Sequence, residues 1–337
     1  MLNFDDIAHR VRRGEPLSAH WDALLRCATP FTRLGMALRH CREPALVNAK
    51  VISFGNLTAG GTGKTPAVIA CVQAQLAAGK SVAVVTRGYG SARVREPFVV
   101  GTRMSRAEIV RCVGDEPALI RHHAPECRLI KAARRSDGAR MAVEIFQCEV
   151  VVLDDAYQHV QLARDENICL IDATNPFGNG HLVPRGILRE PLSALKRATR
   201  IEITRCDQAR DLPGLVAQLR TLAPGTPLRF TIHAPDGFWH VSDGAPLSLD
   251  ALRAAPVTAI SAIGNPEAFH RTLEGLGLVL RETRTFRDHA AIPQEALKAE
   301  GFVVTTEKDA MRMNGAPDNV VALKITLRDY PDTPQHP

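Results

Sequence analysis

The hexapeptide Gly60-Gly61-Thr62-Gly63-Lys64-Thr65 constrains the fold more than any other stretch of the chain. It follows a short apolar run at residues 51–54 and precedes a helical pattern at 67–76, so the order is strand, glycine loop, helix. In that order the chain turns sharply at the end of a strand. Successive backbone N–H groups of the loop, and the start of the helix behind it, then converge on an anion, and phosphate suits them. Lys64 would reach the β- and γ-phosphates of a nucleoside triphosphate, and the Thr65 hydroxyl would hold Mg2+. The loop comprises Thr58, Ala59, Gly60, Gly61, Thr62, Gly63, Lys64 and Thr65, and it is a variant, because Thr58 stands where such loops usually begin with glycine.

A phosphate loop needs a second cation anchor on a neighbouring strand. Val150-Val151-Val152-Leu153-Asp154-Asp155 supplies an apolar strand that ends in two carboxylates. Asp154 or Asp155 would hold Mg2+, directly or through water. An acidic pair at a strand end also serves as a plain helix or turn cap; its company with Lys64 and Thr65 makes it the expected metal partner.

Around these motifs, β-rich apolar runs at 51–54, 81–86, 128–132, 150–153, 167–171 and 200–204 alternate with helical stretches, the rhythm of a parallel sheet covered on both faces. Pro213, Gly214, Pro224, Gly225 and Pro227 then mark a break. Beyond it, 228–233 and 238–241 flank Pro235-Asp236-Gly237 and read as a hairpin, after which strands resume at 257–263, 279–284 and 302–306. The expected architecture is α/β. An N-terminal amphipathic helical segment (1–45) precedes a P-loop NTPase-type parallel sheet domain (46–225), and a second, smaller α/β domain (226–337) is joined through a β-hairpin connector.

Composition narrows the partners. With 45% hydrophobic and 23% charged residues the 337-residue chain is globular, and a net charge of +6 suits an anionic partner without naming it. Only 5% of residues are aromatic and no basic run is interleaved with them, so a nucleic-acid surface is not expected. The eight cysteines show neither C-x-x-C pairs nor zinc spacing and read as buried apolar residues of a reducing compartment. Met1-Leu2-Asn3-Phe4-Asp5-Asp6 lacks the order of a secretory signal, and no apolar run is long enough to span a bilayer.

Leu24, Ala28, Phe31, Leu34 or Gly35, and Leu38 recur at helical spacing, with Arg26, Arg33 and His40 on the opposite side. Pro30 would kink this helix or, with Thr29 as cap, start a second one. Such a pattern packs on the protein's own core or lies on a membrane surface.

The chain resembles the lipid A 4′-kinases (tetraacyldisaccharide 4′-kinases) through Gly55-Asn56-Leu57-Thr58-Ala59-Gly60-Gly61-Thr62-Gly63-Lys64-Thr65-Pro66, a family that shares the non-glycine at Thr58. Further matches follow in family order: Thr86-Arg87-Gly88-Tyr89-Gly90, Val113-Gly114-Asp115-Glu116-Pro117, Asp154-Asp155-Ala156-Tyr157-Gln158-His159, Phe177-Gly178-Asn179-Gly180 and Pro184-Arg185-Gly186-Ile187-Leu188-Arg189-Glu190-Pro191. Ala262-Ile263-Gly264-Asn265-Pro266, Phe286-Arg287-Asp288-His289 and Thr306-Glu307-Lys308-Asp309 complete the set. Ala156-Tyr157 stand where the family has a glycine and an apolar residue, and Thr86 where it often has serine; both carboxylates are in place.

The resemblance implies transfer of the ATP γ-phosphoryl group, with Mg2+, to the 4′-hydroxyl of a tetraacyl disaccharide 1-phosphate, giving lipid IVA at the cytoplasmic face of the bacterial inner membrane. It implies Asp115 and His289 as a pair from opposite domains, Asp115 beside the attacking hydroxyl and His289 orienting it or relaying its proton. Read without it, Asp115 is a helix N-cap and His289 a loop residue. Glu116 joins the metal site, Gln158 and His159 the acceptor site, and Arg185 and Arg189 would fork onto the 1-phosphate unless their role is structural. An acceptor with four acyl chains sits in a bilayer, which turns the reading of the N-terminal helix, with Arg26, Arg33, Arg39 and Arg42, towards an anionic membrane surface. No obligate protein partner is expected. His122, His123 and His181 show no partner in the sequence.

Two other classes share a phosphate loop. A GTPase would need Asn-Lys or Thr-Lys, then any residue and Asp, but Thr306-Glu307-Lys308-Asp309 has its lysine one place late, and Tyr157 occupies the glycine position of Asp-x-x-Gly. A membrane ATPase that drives partner binding would carry a second lysine just before the glycines, where Asn56-Leu57-Thr58-Ala59 has none.

Overall fold

The computed structural model describes residues 10–11, 15, 18–40, 43–288 and 290–332; inside its first helix the side chains of residues 28, 30–34 and 36–40 are not among those described. Expectations for residues 1–6, Arg42 and His289, and for the side chains of Ala28, Pro30, Phe31, Arg33, Leu34, Leu38, Arg39 and His40, therefore lie outside the described residues.

Along the chain come α1 (Ala19–His40), β1 (Lys50–Asn56), α2 (Lys64–Ala77), β2 (Val82–Thr86), β3 (Phe98–Val99), α3 (Arg106–Val113), α4 (Asp115–His123), β4 (Arg128–Lys131), α5 (Arg135–Glu144), β5 (Val150–Leu153), β6 (Glu166–Asp172) and β7 (Arg200–Thr204). Then follow α6 (Leu212–Leu222), β8 (Leu228–His240), β9 (Pro246–Leu247), α7 (Leu249–Arg253), β10 (Val257–Ser261), α8 (Pro266–Gly275), β11 (Leu280–Thr285), β12 (Phe302–Thr306), α9 (Glu307–Arg312) and β13 (Val320–Asp329).

All strands among the described residues belong to one sheet, in the order β3-β4-β2-β5-β1-β6-β7-β8-β13-β12-β10-β11, with β9 added on β8. Pairing is parallel except β3 with β4 and β8 with β13 and β9. β1 lies between β5 and β6, with Ser53 opposite Leu153 and Gly55 opposite Cys169. Its neighbours β5 and the centre of β6 (168–171) are apolar because both faces are covered, as parallel strands require. Ile52, Phe54, Val84, Val152, Ile168 and Leu170 face Ala67, Val68 and Val72 of α2. The alternate residues Val51, Ala83, Val85, Val151 and Leu153 face Ala139 and Ala142 of α5. The core under α2 continues into Trp239, Ile260, Val303, Met311 and Ala322, so the two ends of the sheet share one apolar interior.

Three sequence expectations are corrected. The hairpin connector is instead the single strand β8, whose start, Leu228–Phe230, pairs in parallel with β7 and whose remainder pairs antiparallel with β13. Pro235 is accommodated because the pairing shifts register between Leu323 and Ile325, so no turn is needed at Pro235-Asp236-Gly237. The break around Pro213 contains α6: Asp211 caps it by accepting from Gly214 N at 2.8 Å, and proline is tolerated in a first helical turn. Third, α1 runs unbroken through Thr29 and Pro30, with the Thr29 hydroxyl donating to Leu25 O at 3.0 Å.

The front half of α1 divides its faces. Trp21 and Leu25 pack against Ile187 and Val11, Asp22 binds Arg185, and Leu24 and Arg26 are exposed. No helix among the described residues is long and apolar enough to cross a membrane. The described cysteines are free; Cys112, Cys127, Cys148, Cys169 and Cys206 are buried, Cys71 is half-buried and Cys27 is exposed.

Candidate active site

The phosphate loop is built on the C-terminal end of β1. Asn56 closes the strand and folds back, its Nδ2 donating to Thr58 O at 2.8 Å and to Thr58 Oγ1 at 3.3 Å. Thr58 forms a bridge with Leu188, flanked by Ala59 N to Ile187 O and Arg189 N to Leu57 O, both 2.6 Å. Thr58 therefore sits in extended backbone and needs no glycine there. Gly60 (φ 131°) and Gly63 (φ 78°) take the conformations that favour glycine. Gly63 caps α2 without a side chain, leaving the first N–H groups of the helix to the loop's concavity.

Lys64 is the first helical residue and is buried; its Nζ donates to Asn56 Oδ1 at 3.2 Å and lies 3.5 Å from Asp155 Oδ1. Thr65 follows, half-buried. The back of the loop is braced by Thr204, whose hydroxyl donates to Thr62 O at 3.0 Å, and by Arg205, which reaches Gly61 O at 3.3 Å and pairs with Asp172. The His233 ring closes it from β8: a Cβ at Gly63 would fall 2.3 Å from His233 Nε2. Burial, with Arg205 nearby, pushes this imidazole down to about 3, so it is a neutral wall.

Asp154 and Asp155 follow β5 directly. Asp155 adopts φ 46°, and the turn brings Tyr157 N to where a Cβ on Gly55 would stand 2.6 Å away; Gly55 is glycine because this backbone crosses it. Ala156 and Tyr157, the departures from the family pattern, are buried, and the Tyr157 hydroxyl donates to Ala194 O at 2.7 Å. The turn is intact.

The two carboxylates have opposite surroundings. Asp155 is also bound by Arg189 Nη1 at 3.0–3.1 Å; burial opposes its ionisation, but Lys64 and Arg189 outweigh that and hold it below the usual carboxylate range. Asp154 is fully enclosed. Its Oδ2 accepts from the Thr86 hydroxyl at 3.1 Å, which does the work expected of serine, while Oδ1 is buried with no partner. Burial first, then the charges of Glu116 and Asp155, push Asp154 up to about 6. Arg135, buried behind it, donates to Asp154 O at 3.2 Å. An orphaned buried acceptor costs about 1–3 kcal/mol, and a cation is the partner that would remove that cost here.

Mg2+ fits this donor set of hard oxygens: Asp154, the Thr65 hydroxyl, and Glu116 close enough to act on Asp154. Among the described residues no three His, Cys, Asp or Glu side chains are gathered as a closed metal cage. Sites of this kind use one or two carboxylates together with substrate phosphates and water.

Asp115 opens α4. The N-cap is Gly114 (φ 96°), so Asp115 is the first helical residue and not a cap; its Oδ1 accepts from Glu116 N at 3.0 Å and its Oδ2 from Arg312 Nη1 at 3.1 Å. Glu116 Oε1 is held by Lys308 Nζ at 2.7 Å. A Cβ at Gly114 would lie 3.3 Å from Tyr89 O, so the backbone of the exposed Tyr89 runs beside the residue that precedes Asp115. Its loop is staked by buried Lys131, which donates to Ser91 Oγ, Ala92 O and Cys112 O at 2.8, 2.8 and 3.1 Å.

The remaining candidates fall in different places. Gln158 uses Nε2 to brace Asn56 O at 2.8 Å, and the His159 carbonyl accepts from Arg164. Arg189 faces Asp155, whereas Arg185 lies under α1, bound to Asp22 at 2.6 Å and His181 Nδ1 at 3.2 Å. Arg185 lines a groove of about 490 Å³ with Arg26, Thr29, His181, Leu182 and Leu192. Asn56, Arg135, His233, Lys308 and Arg312 escaped the sequence reading. Asn56 and Lys308 lay inside recognised motifs without a role assigned to them; Arg135, His233 and Arg312 carry no spacing that ties them to the loop.

The chain is similar to known proteins along most of its length. A family model described as LpxK, Tetraacyldisaccharide-1-P 4'-kinase, matches residues 15–335. A tetraacyldisaccharide 4'-kinase of Anaeromyxobacter dehalogenans (strain 2CP-C) is 39% identical over 94% of this chain and 87% of that protein. Another, from Syntrophotalea carbinolica, is 36% identical over 88% and 82%. The crystal structure of the "apo" form of LpxK from Aquifex aeolicus in complex with ATP superposes with a TM-score of 0.70, at 27% identity, over 93% of this chain and 94% of that one. The chain belongs to the tetraacyldisaccharide-1-P 4'-kinase family.

Proposed function

We propose that the chain performs the reaction its family is named for at the site just described, passing the γ-phosphoryl group of ATP to the 4′-hydroxyl of a tetraacyl disaccharide 1-phosphate and yielding lipid IVA, a lipid A precursor. The carrying observation is that Lys64 and Asp155 are in contact at the end of β1 while Asp154, with its orphaned Oδ1, feels the charge of Glu116 from the start of α4. That proximity supports reading Lys64, Asp154 and Glu116 as parts of one site.

In this reading the loop amides from Ala59 to Thr65 cradle the β- and γ-phosphates. Lys64 leaves Asp155 for the bridging and γ oxygens, where charge accumulates during transfer. Asp154 and Thr65 would hold Mg2+, with Glu116 beside them, and the ion supplies further neutralisation of the phosphates. Asp115 accepts the proton of the 4′-hydroxyl as its oxygen bonds to the γ-phosphorus and the bond from phosphorus to the bridging oxygen breaks, releasing ADP. His289 is assigned by resemblance as the partner of Asp115. Arg189 works on the phosphate side, next to Asp155. Arg185 and Arg26 are the cations available in the α1 groove to the acceptor's 1-phosphate.

The proposal keeps the division into a helical segment (1–45), a nucleotide unit (46–225) and a smaller unit (226–337) that closes over the site; the strand shared by both sheet halves, β8, supports it as the pivot. It also places the protein on the cytoplasmic face of the inner membrane, supported by exposed Leu24 and Arg26 and by an acceptor that resides in a bilayer. Incubation with γ-labelled ATP, Mg2+ and detergent-solubilised tetraacyl disaccharide 1-phosphate tests the reaction. Labelled lipid is expected; labelled free phosphate alone would overturn it.

A further inference from the structure

Helix α9, from the far half of the sheet, meets α4 at both ends. At the start of α4, Arg312 Nη1 binds Asp115 Oδ2 at 3.1 Å and Lys308 Nζ binds Glu116 Oε1 at 2.7 Å. At its end, His123 Nε2 lies 2.7 Å from Glu307 Oε1, which also accepts from Trp239 Nε1 at 3.1 Å. The helices therefore run in opposite senses, and Lys308 and Arg312, four places apart, share one face.

The Arg312 fork is anchored on its own side. Nη2 binds Asp309 and donates to Ala262 O at 3.1 Å, and buried Asp309 in turn accepts from Ala262 N at 3.1 Å and from the Thr306 hydroxyl at 2.7 Å. A planar guanidinium held along one edge presents the other in a fixed direction. The Arg312–Asp115 pair is only 14% and 13% exposed, so it is screened far less than a surface pair.

We propose that Arg312 and Lys308 are positioning residues for the phosphoryl transfer, a clamp through which the far half of the sheet orients the Asp115 and Glu116 carboxylates. The inference rests on the reading of Asp115 as the group beside the acceptor hydroxyl. It gives a purpose to Thr306-Glu307-Lys308-Asp309, which phosphate binding leaves unexplained, and extends that motif to Arg312. The clamp acts on chemistry and not on nucleotide affinity, because neither side chain bonds the phosphate loop.

The test is a double-mutant cycle on the full chain, read as kcat with the lipid acceptor, KM for ATP and thermal midpoint. Arg312→Ala is expected to lower kcat about tenfold to a hundredfold with the KM for ATP within about twofold, and Arg312→Lys to recover part of the loss. In an Asp115→Asn background Arg312→Ala should cost nothing further, since a residue acting through Asp115 has lost its target. Losses that multiply, or wild-type kcat in Arg312→Ala beside an inactive Asp115→Asn, would overturn the clamp alone. Wild-type kcat in Asp115→Asn would overturn the reading beneath it. If Arg312→Ala does not fold, Lys308→Ala, at the more exposed contact, decides: a fall of about fivefold or more at unchanged midpoint supports the clamp, and unchanged kcat overturns it.

Discussion

Lys64 Nζ lies 3.5 Å from Asp155 Oδ1, so the lysine of the phosphate loop pairs with a carboxylate at the end of the neighbouring strand. Arg189 binds the same carboxylate and keeps it compensated when Lys64 turns to the nucleotide. Lys64→Ala is expected to lower kcat by about two to three decades, because the charge it neutralises builds up in the transition state. The folded state should survive, with Arg189 still on Asp155. Near-wild-type turnover of a folded Lys64→Ala protein would sink the phosphate-loop assignment.

Metal binding is expected to depend on pH, with Asp154 as the proposed Mg2+ ligand. Its native carboxyl, pushed up to about 6, keeps a proton that the unfolded chain releases near 3.8, so between about 4 and 6 the native state binds more protons. Without metal, this group's contribution to stability falls as pH rises through that window. Because Mg2+ needs the ionised carboxylate, its apparent affinity should rise over the same interval. Thermal midpoints with and without Mg2+ across about pH 4–7 check both trends, and Asp154→Asn should remove them. A Mg2+ affinity that is flat with pH in the wild type would contradict the role.

Asp115 and His289 are expected to act as one unit. Each alanine variant should lower turnover by about two to four decades, with the double variant little worse than the poorer single one and ATP affinity nearly unchanged. Steady-state kinetics of the three proteins decide it. Ordinary turnover in His289→Ala would leave that residue as part of a loop.

Membrane contact is predicted for α1. Trp21 and Leu25 are already committed to Ile187 and Val11, so the surface available to lipid from the front half of the helix centres on Leu24 and Arg26. Leu24→Asp should weaken binding to anionic vesicles about fivefold while leaving turnover on a detergent-solubilised acceptor within about threefold. Unchanged sedimentation with vesicles would assign the helix to packing alone.

Local sequence sufficed wherever one short segment carried both signal and consequence. Glycines at Gly60 and Gly63 supply the backbone freedom the loop uses, the apolar runs of β1, β2, β5, β6 and β7 are what doubly covered parallel strands require, and Asp154 and Asp155 stand where their strand ends. The motifs before Asp115 and after Leu153 were legible for the same reason.

Tertiary structure decided what depends on partners far along the chain. Pro235-Asp236-Gly237 has the composition of a turn, yet β13 supplies a shifted register across from it and the chain runs straight on. Thr58 replaces glycine without strain because Leu188 holds it extended. Asp154 and Asp155 are chemically alike in sequence, but one is enclosed beside Thr86 with an oxygen left unpaired and the other is ion-paired to Lys64 and Arg189. Arg312 meets Asp115 across 197 residues of chain. No periodicity or spacing encodes such a meeting, because it arises only when the last strands of the sheet pack α9 against α4.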